Sequence, residues 1–181
     1  MAIPLVQSAA RSFELLFLDQ IRIDGWDQVL FLECGDGWVA EEAWRRMGKG
    51  YVCGLSVSLQ DVDAAVRLRG VPGRLEFKTW SGEGLPLPDR SFDRVIVCVP
   101  WSTFREPSTV LAEVARVLRP NGAAYLCDGP VPAAALRRLL TDVGLMEVTQ
   151  DGCRTVLRIQ GDASAPRVIH ARRRESSSPS F

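Results

Sequence analysis

Short apolar runs alternate with amphipathic stretches along most of the chain. The runs contain four or five residues, as expected of strands that are buried on both faces of a sheet, and they occupy positions 29–32, 51–55, 95–99 and 123–127. A further stretch, 75–78, alternates apolar and polar residues, as a half-exposed edge strand does. Strands separated by helical stretches predict an α/β fold with a mainly parallel sheet.

Between the runs, apolar residues recur at helical spacing. The predicted stripes are Ala40-Ala43-Trp44-Met47, Leu59-Val62-Val66, Leu111-Val114-Ala115-Leu118 and Leu136-Leu139-Leu140-Val143. Ser58 is the predicted N-cap of the second helix. The predicted ends are marked by Gly48, Gly70, Pro120 and Gly144. One more helix is predicted at about 8–20, before the first strand.

The end of the chain departs from this alternation. Two predicted strands, 146–149 and 155–159, are separated by Asp151-Gly152, a pair typical of a tight antiparallel hairpin. Residues 162–181 are polar and rich in Arg and Ser, and we predict a disordered tail there. The chain is therefore interpreted as a single domain over residues 1–161, followed by this tail.

Composition and charge narrow the classes of function. Hydrophobic residues make up 46% of the 181 residues, and 22 basic side chains balance 22 acidic ones. Because binders of polyanions carry a basic surplus, a nucleic-acid partner is not expected. No apolar run approaches the roughly 18 residues of a membrane span, and the N-terminus shows no secretory signal, so a cytoplasmic location is expected.

Cysteine and histidine content excludes further chemistry. The five cysteines form no C-x-x-C pair, and the one histidine, His170, lies in the predicted tail. No metal site is therefore predicted, and the thiols are interpreted as reduced residues, mostly of the core. A domain without an imidazole base is not expected to be a hydrolase of the Ser-His-Asp or Cys-His type.

A glycine-rich turn follows the first predicted strand. Ligands of open α/β sheets bind beyond the carboxyl ends of the strands, and the first such end is 32–37 (LECGDG). Its glycines allow a ligand to approach the backbone, and the following helix offers free N–H groups. The same glycines are equally compatible with a tight strand-to-helix turn that binds nothing.

Four segments together resemble the motifs of class I S-adenosylmethionine-dependent methyltransferases, in particular their small-molecule type 11 branch. They are 29–37 (VLFLECGDG), 54–58 (GLSVS), 85–95 (LPLPDRSFDRV) and 113–122 (EVARVLRPNG), in the order and spacing of the family. The resemblance covers roughly residues 25–160. It implies a three-layer Rossmann-like fold with a mainly parallel seven-stranded sheet of order 3-2-1-4-5-7-6, in which strand 7 is antiparallel.

The resemblance also implies a cofactor, S-adenosylmethionine, and the residues that contact it. The positions that match the family's cofactor-binding residues are Glu33, Gly35, Asp36, Gly37, Ser56, Ser81, Gly82 and Cys98. Trp101 and Phe104, after the fourth strand, are the implied substrate contacts, although they are also compatible with covering the next helix. No catalytic residue is assigned, because methyl transfer depends mostly on proximity and alignment.

Several positions depart from the family pattern. Phe31, Ser56 and Ser81 stand where the family has carboxylates that face the cofactor, and Glu33 replaces the first glycine of the motif. Binding of the cofactor is expected to be weakened or lost by these changes. Glu33 has three open interpretations: a carboxylate for the ammonium group of the cofactor, a plug of the pocket, or a solvent-facing residue of a reshaped loop.

Two functions therefore remain open. The first is a methyltransferase of a small-molecule acceptor with a divergent cofactor pocket. The second is a catalytically degenerate, methyltransferase-like protein that acts as a binding or regulatory subunit. Few residues lie outside the core fold to enclose an acceptor, so an open site, a large substrate, a partner subunit or an oligomer each fit. Glu113 and Arg116, spaced i and i+3, are interpreted as a surface ion pair.

Overall fold

The computed structural model describes residues 21–100, 103–128 and 155–160, together with Leu15, Leu18 and Asp19. Its elements are β1 (Gln28–Leu32), α1 (Trp38–Met47), β2 (Tyr51–Ser56), α2 (Leu59–Arg69), β3 (Leu75–Thr79), β4 (Phe92–Val97), α3 (Pro107–Val117), β5 (Leu118–Asp128) and β6 (Thr155–Gln160). The three isolated residues are helical, within the helix predicted at 8–20. The rest of that range, the predicted helix at 136–143, the predicted strand at 146–149 and the tail lie outside the described residues.

The six strands form one sheet in the order β3-β2-β1-β4-β5-β6. Neighbouring strands are parallel except β5 and β6, which are antiparallel. The α/β class and the order 3-2-1-4-5 are thereby confirmed. The antiparallel β6 covers the segment predicted as the seventh strand and lies beside β5, as predicted.

Alternation along the strands builds a core on each face of the sheet. Leu30 and Leu32 of β1 face the layer that contains α3, whereas Val29 and Phe31 face the layer that contains α1 and α2. Successive residues of a strand face opposite sides of the sheet. Because helices cover both sides, residues of both orientations are buried, and the strands are continuous apolar runs in the sequence. The arrangement is the predicted three-layer one. Within the described residues, no helix has the length and apolarity needed to cross a membrane.

Two details of the helices differ from the sequence prediction. In α2 the buried residues are Val62 and Ala65, whereas Leu59 and Val66 are 64% and 50% exposed. The larger residues suggested the wrong face, because the small Ala65 is the residue that meets the sheet. The third predicted helix ends one residue early, at Val117, and Leu118 begins β5 by pairing with Phe92. The predicted cap Ser58 is confirmed, since its Oγ accepts a hydrogen bond from the Asp61 N–H at 3.2 Å.

Candidate functional site

Strands β1 to β4 are parallel, so their carboxyl ends lie at the same end of the sheet. Backbone hydrogen bonds continue the ladder past the strands and hold the loops together: Cys34 N donates to Leu55 O at 3.3 Å, and Cys98 N donates to Leu32 O at 3.0 Å. Trp80 N donates to Ser56 O at 3.3 Å in the same way. Open α/β sheets bind ligands here, and all the described candidate residues lie on the loops at this side or, for Ser56, at the end of a strand.

The loop between β1 and α1 has left-handed backbone conformations at alternate positions. The φ angles are +54° at Glu33, +55° at Gly35 and +78° at Gly37. A Cβ at Gly35 would meet no atom within 4 Å, so the space beside this residue is open. A Cβ at Gly37 would lie 2.5 Å from the Phe77 ring and 3.0 Å from Ala65 Cβ. Gly35 therefore leaves room for a ligand, whereas Gly37 is required by packing.

Asp36 fastens this loop to two helices. Its Oδ1 accepts a hydrogen bond from the Trp38 N–H at 3.1 Å, at the start of α1, and its Oδ2 lies 3.0 Å from an Arg69 guanidinium nitrogen. Arg69, the last residue of α2, also pairs with Glu41 at 2.6 Å. The carboxylate of Asp36 is thus engaged in positioning the loop, while its assignment to the cofactor stays a prediction.

Glu33 is the most distinctive side chain of the site. Its carboxylate accepts a hydrogen bond from Trp80 Nε1 at 2.6 Å and from Ser56 Oγ at 3.3 Å. The Val57 N–H lies 3.3 and 3.4 Å from the two carboxylate oxygens. The backbone of Glu33 follows β1, but its carboxylate lies at the end of β2. Glu33 is half-buried.

The other residues predicted to replace family carboxylates, Phe31, Ser56 and Ser81, differ in burial and in hydrogen bonding. Phe31 is fully buried in the core between the sheet and α1, so its replacement of a carboxylate is a packing change. Ser56 is 2% exposed, and its Oγ accepts a hydrogen bond from the Ser58 N–H at 3.1 Å. Ser81 is exposed and its Oγ accepts a hydrogen bond from the Glu83 N–H at 3.4 Å.

An aromatic pair lies beside these loops. Trp80 is only 6% exposed, and its ring meets that of Phe104 edge-on, with centroids 6.2 Å apart. Sequence reasoning did not select Trp80 as a site residue, although an aromatic residue directly before Ser81 was a signal. Phe104 is half-buried against the core that contains α3. Trp101 lies outside the described residues.

Cys34 and Cys53 are buried free thiols. Burial raises the pKa of Cys34, in the glycine loop, well above its usual range, and raises the pKa of Cys53 to about 11. Neither thiol is a nucleophile at neutral pH, because the thiolate is the reactive form. Within the described residues, no group of three or more His, Cys, Asp or Glu side chains is arranged to hold a metal ion.

The sheet order and the glycine loop at the carboxyl end of β1 define an open α/β protein with a ligand-binding end of this kind. Residues 30–126, more than half of the chain, match the family described as "Methyltransferase domain", the type 11 group. The chain therefore belongs to this family of S-adenosylmethionine-dependent methyltransferases. The match confirms the resemblance on which the sequence interpretation rests.

Individual relatives of the chain are also named as methyltransferases. Methyltransferase GfsG of Streptomyces halstedii is 31% identical over 128 residues, which cover 69% of this chain and 45% of that protein. Phthiotriol/phenolphthiotriol dimycocerosates methyltransferase 1 of Mycobacterium ulcerans is 35% identical over 101 residues, which cover 56% of this chain and 37% of that protein. The chain thus spans less than half the length of these two curated relatives.

A solved structure shows the same fold. In a complex of the Haloferax volcanii Trm112 methyltransferase activator with a methyltransferase, the matched chain superposes with a TM-score of 0.69 at 22% identity. The superposition covers 81% of this chain and 76% of that chain. At this identity the likeness concerns the fold alone.

The residues of the site fit the cofactor of this family. Gly35 leaves open space beside the backbone at the end of β1, where a ligand can approach closely. Next to it, the half-buried carboxylate of Glu33 is an acceptor for hydroxyl groups, whereas Ser56 and Ser81, the predicted cofactor positions, have no carboxylate. This donor and acceptor set is compatible with an adenosine-containing ligand.

Proposed function

We propose that the chain binds S-adenosylmethionine at the carboxyl ends of β1 and β2 and transfers its methyl group to a small-molecule acceptor. The observation that carries the proposal is the open space at Gly35 beside a held carboxylate, at the end of the sheet where this fold binds ligands. Membership of the methyltransferase family supports the same ligand.

Each part of the site has a role in this reaction. When bound, S-adenosylmethionine supplies an electrophilic methyl group. Gly35 admits the ligand to the backbone, and Asp36 holds the loop against Arg69 so that the open space is maintained. Trp80 and Phe104 form an apolar wall that excludes water beside the loops. Positioning of the two reactants is the main contribution of the protein, because this displacement is accelerated chiefly by proximity and alignment.

The acceptor is proposed to be a small molecule with an apolar part. The half-buried ring of Phe104, packed on Trp80, offers an apolar surface on the side of the loop after β4. The Mycobacterium ulcerans relative is named for phthiotriol and phenolphthiotriol dimycocerosates, which supports an acceptor of this kind. The buried free thiols of Cys34 and Cys53 support the expected cytoplasmic location.

Calorimetric titration tests the proposal. S-adenosylmethionine and S-adenosylhomocysteine are expected to bind the wild-type chain saturably with one site. Gly35→Val is expected to abolish binding, because the branched side chain fills the open space. The matched control is Gly73→Val, since Gly73 also has a positive φ (+71°) and open space at its Cβ but lies in the turn before β3, at the opposite ends of the strands. Unchanged affinity in a folded Gly35→Val variant would contradict the assigned position.

The second candidate function is a binding or regulatory subunit that has lost the cofactor. It is favoured by the absence of carboxylates at Ser56 and Ser81 and by the presence of the Glu33 side chain over β2. The solved structural neighbour is itself in a complex with an activator protein. Absence of any binding of either ligand to the folded wild-type chain and to Glu33→Gly would favour this second function.

A further inference from the structure

We infer that Glu33 binds the ribose hydroxyls of the cofactor: its backbone follows β1, but its carboxylate lies at the end of β2. The inference rests on the proposed function, because it assigns a ligand group to the same site. It concerns a residue of this chain that sequence reasoning assigned either to the ammonium group of the cofactor, to a plug, or to solvent.

The position of the carboxylate carries the first step. In nucleotide-binding α/β folds, an acidic side chain after the second strand accepts hydrogen bonds from the ribose. Here that strand ends in Ser56, which has no carboxylate. The Glu33 carboxylate lies 3.3 Å from Ser56 Oγ and from the Val57 N–H. A carboxylate is therefore present at the end of β2, although it belongs to a residue that follows the neighbouring strand β1.

The second step is that the carboxylate is held in place. Trp80 Nε1 donates a hydrogen bond to Glu33 Oε1 at 2.6 Å, and the Trp80 ring is itself buried and packed on Phe104. The backbone of Glu33 is fixed in the left-handed region, with φ +54°. An acceptor that is fixed before the ligand arrives loses little entropy on binding.

The third step concerns the hydrogen-bond acceptor positions of the Glu33 carboxylate that remain free for a ligand. A carboxylate has about four acceptor positions. Oε2 receives only two long contacts, 3.3 Å from Ser56 Oγ and 3.4 Å from Val57 N. Among the described residues, no Lys or Arg forms an ion pair with Glu33. Three neutral donors, Trp80 Nε1, Ser56 Oγ and the Val57 N–H, already bind this half-buried carboxylate, so about one of its acceptor positions is free. One ribose hydroxyl would take that free position, and the second would replace the long contact from Ser56 Oγ.

The test moves the carboxylate between the strands. Dissociation constants for S-adenosylhomocysteine are measured by calorimetry for the wild type, Glu33→Gly, Ser56→Asp and the double variant. Each single change is expected to weaken binding roughly ten- to a hundredfold, the first by removing the acceptor and the second by placing a like charge beside Glu33. The double variant is expected to recover most of the affinity, because it returns one carboxylate to the end of β2.

A second measurement identifies the ligand group. Removal of the 2′-hydroxyl from S-adenosylhomocysteine is expected to weaken binding to the wild type about tenfold and binding to the isosteric Glu33→Gln variant less than threefold. Glu42→Gln is the matched control for loss of one carboxylate charge, since Glu42 pairs with Arg46 on α1 and is expected to leave both constants unchanged. Circular dichroism verifies that each variant is folded.

The outcomes separate the inference from the proposed function. If S-adenosylhomocysteine binds the wild type but Glu33→Gln and Glu33→Gly bind it equally well or more tightly, Glu33 is a bystander or a plug, and the inference is overturned while the proposed function stands. Equal sensitivity of the wild type and Glu33→Gln to the missing hydroxyl also overturns it. Absence of binding to the wild type and every variant overturns the proposed function and the inference together.

Discussion

At the scale of single residues, Gly35 and Gly37 have the same backbone requirement but different surroundings. Both have positive φ angles, which cost a residue with a side chain roughly 1–2 kcal/mol. Only at Gly37 would a new Cβ also collide with other atoms, the nearest being the Phe77 ring at 2.5 Å. Overpacking of a dense core adds about 1–3 kcal/mol. One glycine of the motif therefore serves the fold, and the other serves the ligand site.

This difference predicts the effects of two alanine substitutions. Gly37→Ala is expected to lower the free energy of unfolding by about 2–5 kcal/mol, whereas Gly35→Ala lowers it by about 1–2 kcal/mol. Urea denaturation followed by tryptophan fluorescence measures both values. Equal losses for the two variants would show that the contact of Gly37 with Phe77 and Ala65 is relieved by a shift of the ring.

Residue-scale features could be predicted from sequence only where their causes are local. The cap at Ser58 is set by a hydrogen bond three residues away, so its sequence pattern was sufficient. The direction of the Glu33 carboxylate depends on Trp80, 47 residues further along the chain. Three interpretations of Glu33 were open in the sequence analysis because the order of the strands creates its contact with Trp80, and no local sequence pattern specifies such a contact.

At the scale of elements, the loop between β3 and β4 is tied to α3 by Glu113 and Arg116. Glu113 Oε2 accepts a hydrogen bond from the Leu85 N–H at 2.8 Å, and the Arg116 guanidinium donates to the carbonyl oxygens of Leu85 and Leu87 at 3.0 and 2.9 Å. Asp89 also pairs with Arg116. The predicted ion pair exists, with atoms 2.7 Å apart, but its partners bind a loop instead of only facing solvent.

The pKa of Glu113 gives this contact a pH dependence. The hydrogen bond from Arg116 lowers the pKa of the Glu113 carboxyl below its ordinary 4.5. A carboxyl whose pKa is lower in the folded state stabilises the fold above its unfolded pKa and loses that contribution as the pH falls through the folded value. Glu113→Gln is therefore expected to lower the free energy of unfolding by about 1–3 kcal/mol at pH 7 and by much less below the folded pKa.

Urea denaturation of wild type and variant between pH 7 and pH 3 checks this expectation. The matched control is Glu42→Gln on α1, which breaks an ion pair with the exposed Arg46 and is expected to change stability by less than about 1 kcal/mol. A difference between wild type and Glu113→Gln that stays constant over the whole pH range would mean that the charge of Glu113 is not responsible.

The elements themselves were largely predictable, and the exceptions have a physical reason. The apolar runs gave the central strands because both faces of the sheet are covered, so every residue of β1 after Gln28 is buried. The buried face of α2 was assigned wrongly, since Ala65 is too weakly hydrophobic to mark it while Leu59 and Val66 are more apolar but exposed. The start of β5 at Leu118 also depends on pairing with Phe92, which lies 26 positions earlier and outside any local window.

At the scale of the whole molecule, one sheet connects two cores. Cys53 belongs to the core that contains α3, and Cys34 belongs to the core that contains α1 and α2. The strands contribute alternate residues to both cores, so loss of the sheet disrupts both cores together. We therefore expect the described domain to unfold as one cooperative unit.

The two cysteines provide a test of this cooperativity, one thiol in each core. In the folded protein, burial raises the pKa of Cys53 to about 11 and the pKa of Cys34 also well above its usual range. Unfolding returns both pKa values toward about 8.5, so the fraction of reactive thiolate at pH 8 increases roughly two-hundredfold for Cys53 and by more for Cys34.

Pulsed iodoacetamide labelling across a urea series, measured by mass spectrometry of the separate peptides, is expected to give the same unfolding midpoint for both cysteines. The half-exposed Cys98 serves as the internal control that labels earlier. Labelling of Cys34 at a lower urea concentration than Cys53 would show that the layer of α1 and α2 opens before the sheet is lost.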